Sequence, residues 1–279
     1  MADRLPVAAY PSGGSNDRVV RLNVPVSHLP SGTVTFVFTD IEGSTKILQE
    51  TGDLYADVIG AHRRIVRSAF GGHGGTEIDT QGDAFFFSFA SARHAVAAAV
   101  DAQRNLRDHA WPVTHPVRVR MGIHTGEPTV GDEGYLGIDV VRAARISAAG
   151  HGGQILISET TRALIGNDLP DGVSVHDLGE AHLKDVQHEH IFQVSVDGEP
   201  EGYPPLRTQP TSASPGEMLA ERIQGQVLRE IEEAFTDNRH GSQRDAVPAR
   251  SSGALARLVK VLLLAMAVAA IVLLAARIW

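Results

Sequence analysis

Phe38-Thr39-Asp40-Ile41-Glu42-Gly43-Ser44-Thr45 and Thr80-Gln81-Gly82-Asp83-Ala84-Phe85-Phe86 each place one aspartate where an apolar strand meets a glycine-bearing turn. Asp40 closes the β-branched and aromatic run Thr33-Val34-Thr35-Phe36-Val37-Phe38, and Asp83 sits between Thr76-Glu77-Ile78 and Phe85-Phe86-Phe87 in what reads as a tight hairpin. If the two strands are neighbours, both carboxylates reach one sheet end, where a pair of them can hold two metal ions. Gly43, Ser44 and Thr45 open a helical stretch, and the free N–H groups of a helix start favour a phosphate. Hard carboxylate oxygens beside a phosphate cradle suit Mg²⁺ or Mn²⁺ carried with a nucleotide. Taken singly, Asp40 reads equally as a helix cap and Asp83 as a turn former.

A third segment decides between these readings. Gly137-Ile138-Asp139-Val140-Val141-Arg142-Ala143-Ala144-Arg145-Ile146 is followed by Gly152-Gly153-Gln154-Ile155-Leu156-Ile157-Ser158, and Gly122-Ile123-His124-Thr125-Gly126-Glu127 precedes both. In order and spacing these motifs resemble the class III adenylyl/guanylyl cyclase catalytic domain over residues 31–197. The resemblance implies a ferredoxin-like α+β domain, an antiparallel-rich sheet with helices packed on it, working as a head-to-tail homodimer with nucleotide sites between two copies. The hydrophobic pattern supports that layout independently. It predicts strands at 33–39, 117–124, 154–157, 173–178 and 190–194, a hairpin at 76–89, and helices at 53–70, 91–109 and 138–149.

By the same resemblance, Asp40 and Asp83 would bind both divalent ions with the Ile41 carbonyl as a further ligand. Gly43, Ser44 and Thr45 would cradle phosphate, so that the ribose 3′-hydroxyl attacks the α-phosphorus and expels pyrophosphate. Two ions close together lower the pKa of the attacking hydroxyl and neutralise the triphosphate. Arg145 matches the family arginine that stabilises charge in the transition state from the opposite subunit, its planar fork suited to phosphate oxygens. Read alone, Arg145 is a surface helix arginine beside Arg142.

Three positions depart from the family pattern. Asp79 stands four residues before Asp83, where adenylyl cyclases carry a lysine that meets adenine; an ionised carboxylate there can instead accept from guanine N1–H and N2–H. Gly134, or Tyr135 if the loop shifts by one, replaces the second base contact. Val141 replaces a transition-state asparagine, and loss of one such donor costs about 10² to 10³ in rate. These readings point to a cyclase using ATP or GTP with two Mg²⁺ or Mn²⁺ per site, or to a catalytically weak nucleotide-binding module that signals by dimerising at a membrane.

No GxxxxGK[ST] loop, HExxH pair or GxSxG elbow occurs. His188-Glu189-His190 alternates along a strand with no nearby third ligand, which favours a cross-strand or solvated role over a metal. A net charge of −8 argues against nucleic acid as a partner, and the absence of cysteine excludes disulfides and thiolate metal sites.

Outside the catalytic stretch, residues 1–30 read as a flexible arm, 198–214 and 238–256 as linkers, and 215–237 as an amphipathic helix. That helix starts at a Ser214-Pro215-Gly216-Glu217 capping box and repeats Leu219, Ile223, Val227, Ile231 and Phe235 every four residues. It could pair with its twin, cover the cyclase groove, lie on a membrane or pack on the domain. Residues 257–279 contain an uncharged run from Val261 to Ala276. With its flanks this approaches the roughly 30 Å of a bilayer core and predicts a transmembrane tail anchor. Arg244, Arg250, Arg257 and Lys260 before it against Arg277 after it would leave the cyclase domain on the cytoplasmic side of the inner membrane.

Overall fold

The computed structural model describes residues 29–207, apart from 115, 132–133 and 198–201, together with residues 218, 219, 222 and 225. The run that ends in Asp40 forms β1 (Val34–Ile41), buried at every position. It lies between β3 (Ala84–Phe89) and β4 (Val119–Gly126), antiparallel to both, and β3 turns back from β2 (Thr76–Gln81) at Gly82 and Asp83. Strand alternation sends Phe36, Phe38 and Phe86 to one face of this sheet and Val37, Phe85, Phe87 and Phe89 to the other. Both faces are apolar, so both need cover.

The second of these faces takes most of the helices. After β1 come α1 (Ser44–Thr51), a 3₁₀ turn at Gly52–Leu54 and α2 (Tyr55–Gly72), and α3 (Ala92–Asp108) joins β3 to β4. The predicted helix over 53–70 therefore begins two residues late, because Gly52 at φ 55° ends α1 and the chain re-enters helix only after the 3₁₀ turn. Ser91 caps α3 by accepting from the His94 N–H. Strand order β2-β3-β1-β4 with α1–α2 and α3 as crossovers is the ferredoxin-like arrangement expected from the sequence.

A hairpin of β5 (Thr129–Gly131) and β6 (Gly134–Leu136) leads into α4 (Ile138–Ala149), which packs on the opposite face against β1 and β4. Close seating of α4 depends on Gly122: a Cβ there would lie 2.1 Å from the Ser147 nitrogen. The sheet continues through β7 (Ile155–Ser158), which pairs in parallel with β4, and α5 (Glu159–Ile165), which Ser158 caps. It ends in β8 (Val173–Leu183) and β9 (Gln187–Val196), giving seven strands in the order β2-β3-β1-β4-β7-β9-β8. β8 runs five residues beyond the predicted 173–178, its register slipping between Asp177 and Glu180.

Two boundaries read from sequence change. Leu29 and Pro30, assigned to the flexible arm, are packed: Leu29 is buried, and the Pro30 carbonyl accepts from the Tyr135 hydroxyl at 2.7 Å. Residues 202–207, assigned to a linker, are pinned to the domain by the Arg207 N–H on the Ala149 carbonyl and by an Arg207–Glu42 ion pair. Among the described residues no helix is long and apolar enough to cross a membrane; the predicted anchor at 257–279 lies outside them.

Candidate functional site

β1 and the β2–β3 turn bring the two aspartates together. Asp40 and Asp83 are 1% and 2% exposed, and the Ile41 N–H donates to Asp83 Oδ2 at 2.7 Å, fastening the turn to the end of β1. Burial pushes the Asp83 carboxyl up to about 6, with the nearby Asp40 charge adding to the rise and the Ile41 N–H opposing it. A buried carboxylate whose charge a neighbouring carboxylate disfavours is what a cation relieves. Gly43, at φ 68°, turns the chain into α1, whose first turn no side chain caps. Ser44 is buried and its hydroxyl bonds Asp83, while Thr45 is exposed.

Sequence reasoning missed the strongest partner of Asp40. Arg120 lies directly across from it in the β1–β4 register, and its Nε and Nη2 donate to the two carboxylate oxygens, the second at 2.9 Å. Both side chains are buried, at 2% and 8% exposure. A charged residue in the middle of Val117-Arg118-Val119-Arg120-Met121 was the available signal, since a buried charge needs a partner. The pairing leaves Asp40 able to bind more, because a carboxylate has about four acceptor positions and Arg120 uses two. The two carboxylates form an oxygen-only donor pair at the end of β1, which fits hard divalent ions; the remaining ligands would come from backbone carbonyl, phosphate and water.

Arg145 sits elsewhere. It is 3% exposed on α4, and its Nη2 donates at 2.8 Å to Asp185 in the β8–β9 turn. β9 lies four strand intervals from β3, roughly 19 Å at ordinary strand spacing. The guanidinium of Arg145 is thus directed toward the sheet edge opposite the Asp83 turn. Asp185 holds a left-handed φ of 63°, alone among the described non-glycine residues.

Asp79 is in β2 beside a register shift, 9% exposed. Its Oδ1 accepts from the Thr80 N–H at 2.7 Å, and its Oδ2 lies 3.5 Å from Arg222 Nη1. Tyr135 is committed to structure: its ring packs edge-on against Phe36 at 4.9 Å and its hydroxyl bonds Pro30. Val141 is buried on α4. His124 links Ser158 at 2.8 Å to Asp139 at 3.1 Å, and this hydrogen bond holds the Asp139 carboxyl below the usual range. Ser158 also accepts from the Thr161 N–H as the α5 cap, so the trio ties α4 and α5 to β4. In the β8–β9 hairpin His190 bonds Asp177 at 2.6 Å and His188 packs on His182.

Known proteins share this architecture. The adenylate and guanylate cyclase catalytic domain matches residues 26–196. An uncharacterised protein of Mycobacterium tuberculosis is 34% identical over 206 residues, covering 71% of this chain and 70% of its own. The adenylate cyclase of Neurospora crassa is 31% identical over 198 residues, which is 62% of this chain and 9% of that protein. A solved structure of a Trypanosoma brucei adenylate cyclase in its monomeric state superposes with a TM-score of 0.61 at 26% identity, covering 66% of this chain and 98% of that one. With the ferredoxin-like sheet and the paired aspartates in place, the chain belongs to the adenylate and guanylate cyclase catalytic domain family.

Proposed function

We propose that this chain is a nucleotidyl cyclase that converts a nucleoside triphosphate, ATP first and GTP second, to the 3′,5′-cyclic nucleotide and pyrophosphate. The observation that carries the reading is the meeting of buried Asp40 and Asp83 at the start of α1. Asp40, Asp83 and the Ile41 carbonyl would hold two Mg²⁺ or Mn²⁺. Bound there, the ions would acidify the ribose hydroxyl and neutralise the triphosphate. Arg120 fixes the orientation of Asp40, and the amides of Ser44 and Thr45 would receive phosphate oxygens. Asp79 would accept from the base edge, which favours testing GTP equally.

Arg145 would come from a second copy in a homodimer, since in its own chain it is drawn toward Asp185. There its N–H fork would meet charge developing on the phosphate. Burial of Val141 on the same helix favours a second reading, a nucleotide-binding module with weak turnover. In either case residues 257–279 would anchor the protein in the inner membrane.

Full-length protein incubated with ATP or GTP and Mn²⁺ or Mg²⁺ should yield a cyclic nucleotide identifiable by mass spectrometry. No product at high protein concentration supports the second reading. Asp40→Ala and Arg145→Ala proteins should each be inactive and should recover activity when mixed, through a heterodimer with one intact site. Well-folded dimeric variants that fail to complement would overturn the assignment to opposite subunits.

A further inference from the structure

Beyond the catalytic stretch, the chain returns to its own site. Met218, Leu219, Arg222 and Gly225 are helical, and Leu219 and Arg222 meet β2 and the sheet face that carries Phe36, Phe38 and Phe86. Leu219 is fully buried in a cluster with Phe36, Phe38, Ile78, Phe86 and Ala144. One turn on, Arg222 Nη2 donates to Gln81 Oε1 at 2.7 Å, and Nη1 lies 3.5 Å from Asp79 Oδ2. Two different forces thus fasten one short segment to one place, apolar burial at Leu219 and charge at Arg222.

The position of Arg222 matters because of what Asp79 and Gln81 are. They are alternate residues of β2, on the strand that turns into Asp83. A guanidinium on Asp79 presents planar N–H donors to the carboxylate, which is how a guanine edge would approach it. Arg222 stands beside Oδ2 by position and charge rather than by a hydrogen bond, so its bulk lies where a base N–H would approach that oxygen. The Arg222 side chain is 36% exposed and the Asp79 pair is long, so this contact is exchangeable, whereas Leu219 supplies the holding strength.

We propose that the helical segment bearing Leu219 and Arg222 is an intramolecular cap that competes with the nucleotide base at Asp79, so that the cyclase site is gated by its own C-terminal extension. The proposal rests on the cyclase reading for the identity of the ligand, though docking of the cap does not. Its energetics follow from population shift: with the cap closed, apparent nucleotide affinity falls in proportion to the open fraction. The segment is also where a regulator would act, because displacing it exposes the base contact without disturbing Asp40, Asp83 or Arg145.

The test uses the full chain, with Mn²⁺ and GTP or ATP carrying a fluorescent N-methylanthraniloyl group, read by binding and by product formation. Arg222→Ala should tighten binding about fivefold, the factor equivalent to an exposed ion pair. Leu219→Ala should tighten it by about tenfold or more, since truncating a buried leucine releases the cap. Arg222→Lys keeps the charge but loses the fork that spans Gln81 and Asp79, so it should tighten binding by less than Arg222→Ala does. Amide hydrogen exchange at 218–225 should rise on addition of Mn²⁺-nucleotide. Unchanged or weaker binding in Arg222→Ala, with an unaltered melting temperature, would overturn the cap even if Leu219→Ala proves too unstable to assay. Tighter binding without product from any variant would keep the cap and refute the cyclase. Product from the wild type with no variant tightening would do the reverse.

Discussion

Replacing Gly122 by alanine tests how the helix that carries Arg145 is seated. A methyl group at this position in β4 would lie 2.1 Å from the Ser147 nitrogen, 2.5 Å from its Cα and 2.7 Å from its Cβ. Two of these are backbone atoms, so no side-chain rotation relieves the clash. Restoring van der Waals contact requires α4 to retreat by roughly 1 Å or more. That movement strains the 3.2 Å hydrogen bond from Ser147 Oγ to the Phe38 carbonyl and opens the packing of buried Ala143, Ala144 and Ile146. Overpacking of this kind costs about 3 kcal/mol. For a domain of this size that lowers the melting temperature by roughly 6–12 °C. Gly43→Ala is the control: it forces a side chain into a left-handed φ of 68°, which Gly122→Ala does not, but its methyl meets open space, so it should cost only about 1–2 kcal/mol.

Differential scanning calorimetry measures both. Because Arg145 lies two residues before Ser147, the retreat should also misplace its guanidinium, and a 1 Å error in a positioned group costs about 100-fold in rate. Gly122→Ala is therefore expected to be less active than its residual stability explains, assayed well below its melting point. A melting temperature within about 2 °C of wild type would refute the seating argument.

His62 provides a pH-dependent prediction. It is fully buried on α2 with neither ring nitrogen hydrogen-bonded, and burial, aided by Arg63 and Arg67, lowers its pKa from 6.5 to about 3. Between those values the unfolded chain holds one more proton, so stability should fall as pH drops below 6.5, by up to about 1.4 kcal/mol per unit. Asp83, raised to about 6, contributes the opposite slope over part of this range. The His62 contribution is therefore read as the difference between wild type and His62→Phe in urea titrations between pH 6.5 and 5; that difference should follow the expected sign, and His62→Phe should not destabilise at pH 7. Asp79→Lys should raise the ratio of ATP-derived to GTP-derived product in an assay under competition; no change in the ratio would mean that Asp79 does not meet the base. Asp83→Asn should retain the fold by circular dichroism yet lose Mn²⁺ binding by electron paramagnetic resonance. Sodium carbonate should leave full-length protein in the membrane pellet, and release beside a retained control anchor would refute the role of 257–279.

What could be read from sequence and what could not divides along one line. Asp40 and Asp83 were legible because each follows a β-branched or aromatic strand and precedes or follows a glycine that local turn chemistry demands. Arg120 was not, since its value comes from standing opposite Asp40 in the β1–β4 register, and register is a tertiary property that a strand's own residues do not state. The same holds for Asp185, placed against Arg145 across 40 residues, and for Arg222, placed against Gln81 across 141. Short elements escaped for another reason. α5 has seven residues and β5 and β6 three each, too few for a period to show. In residues 202–207, Pro204 and Pro205 suggested a linker, and tertiary contacts made by Tyr203 and Arg207 override that composition.

Three charged groups of the proposed site are paired within the chain, and their burial separates them into two kinds. Asp40 and Arg120 are both enclosed, so parting them would strand a charge in a low-dielectric interior, at a cost of about 3–5 kcal/mol. In the proposed site Asp40 would therefore bind a cation while still held, using the oxygen lone pairs that Arg120 leaves. Arg145 and Asp79 are each paired with a partly exposed group, Asp185 at 41% and Arg222 at 36%. Water can solvate those partners when they are released, so a phosphate or a base edge can replace them at a cost nearer 1 kcal/mol. On this division the proposed metal end of the site would be built in advance, and the proposed base and transition-state ends would be assembled by exchange of partners. Control of such an enzyme would act on the exchangeable contacts, which are the ones made by the β8–β9 turn and by the C-terminal extension.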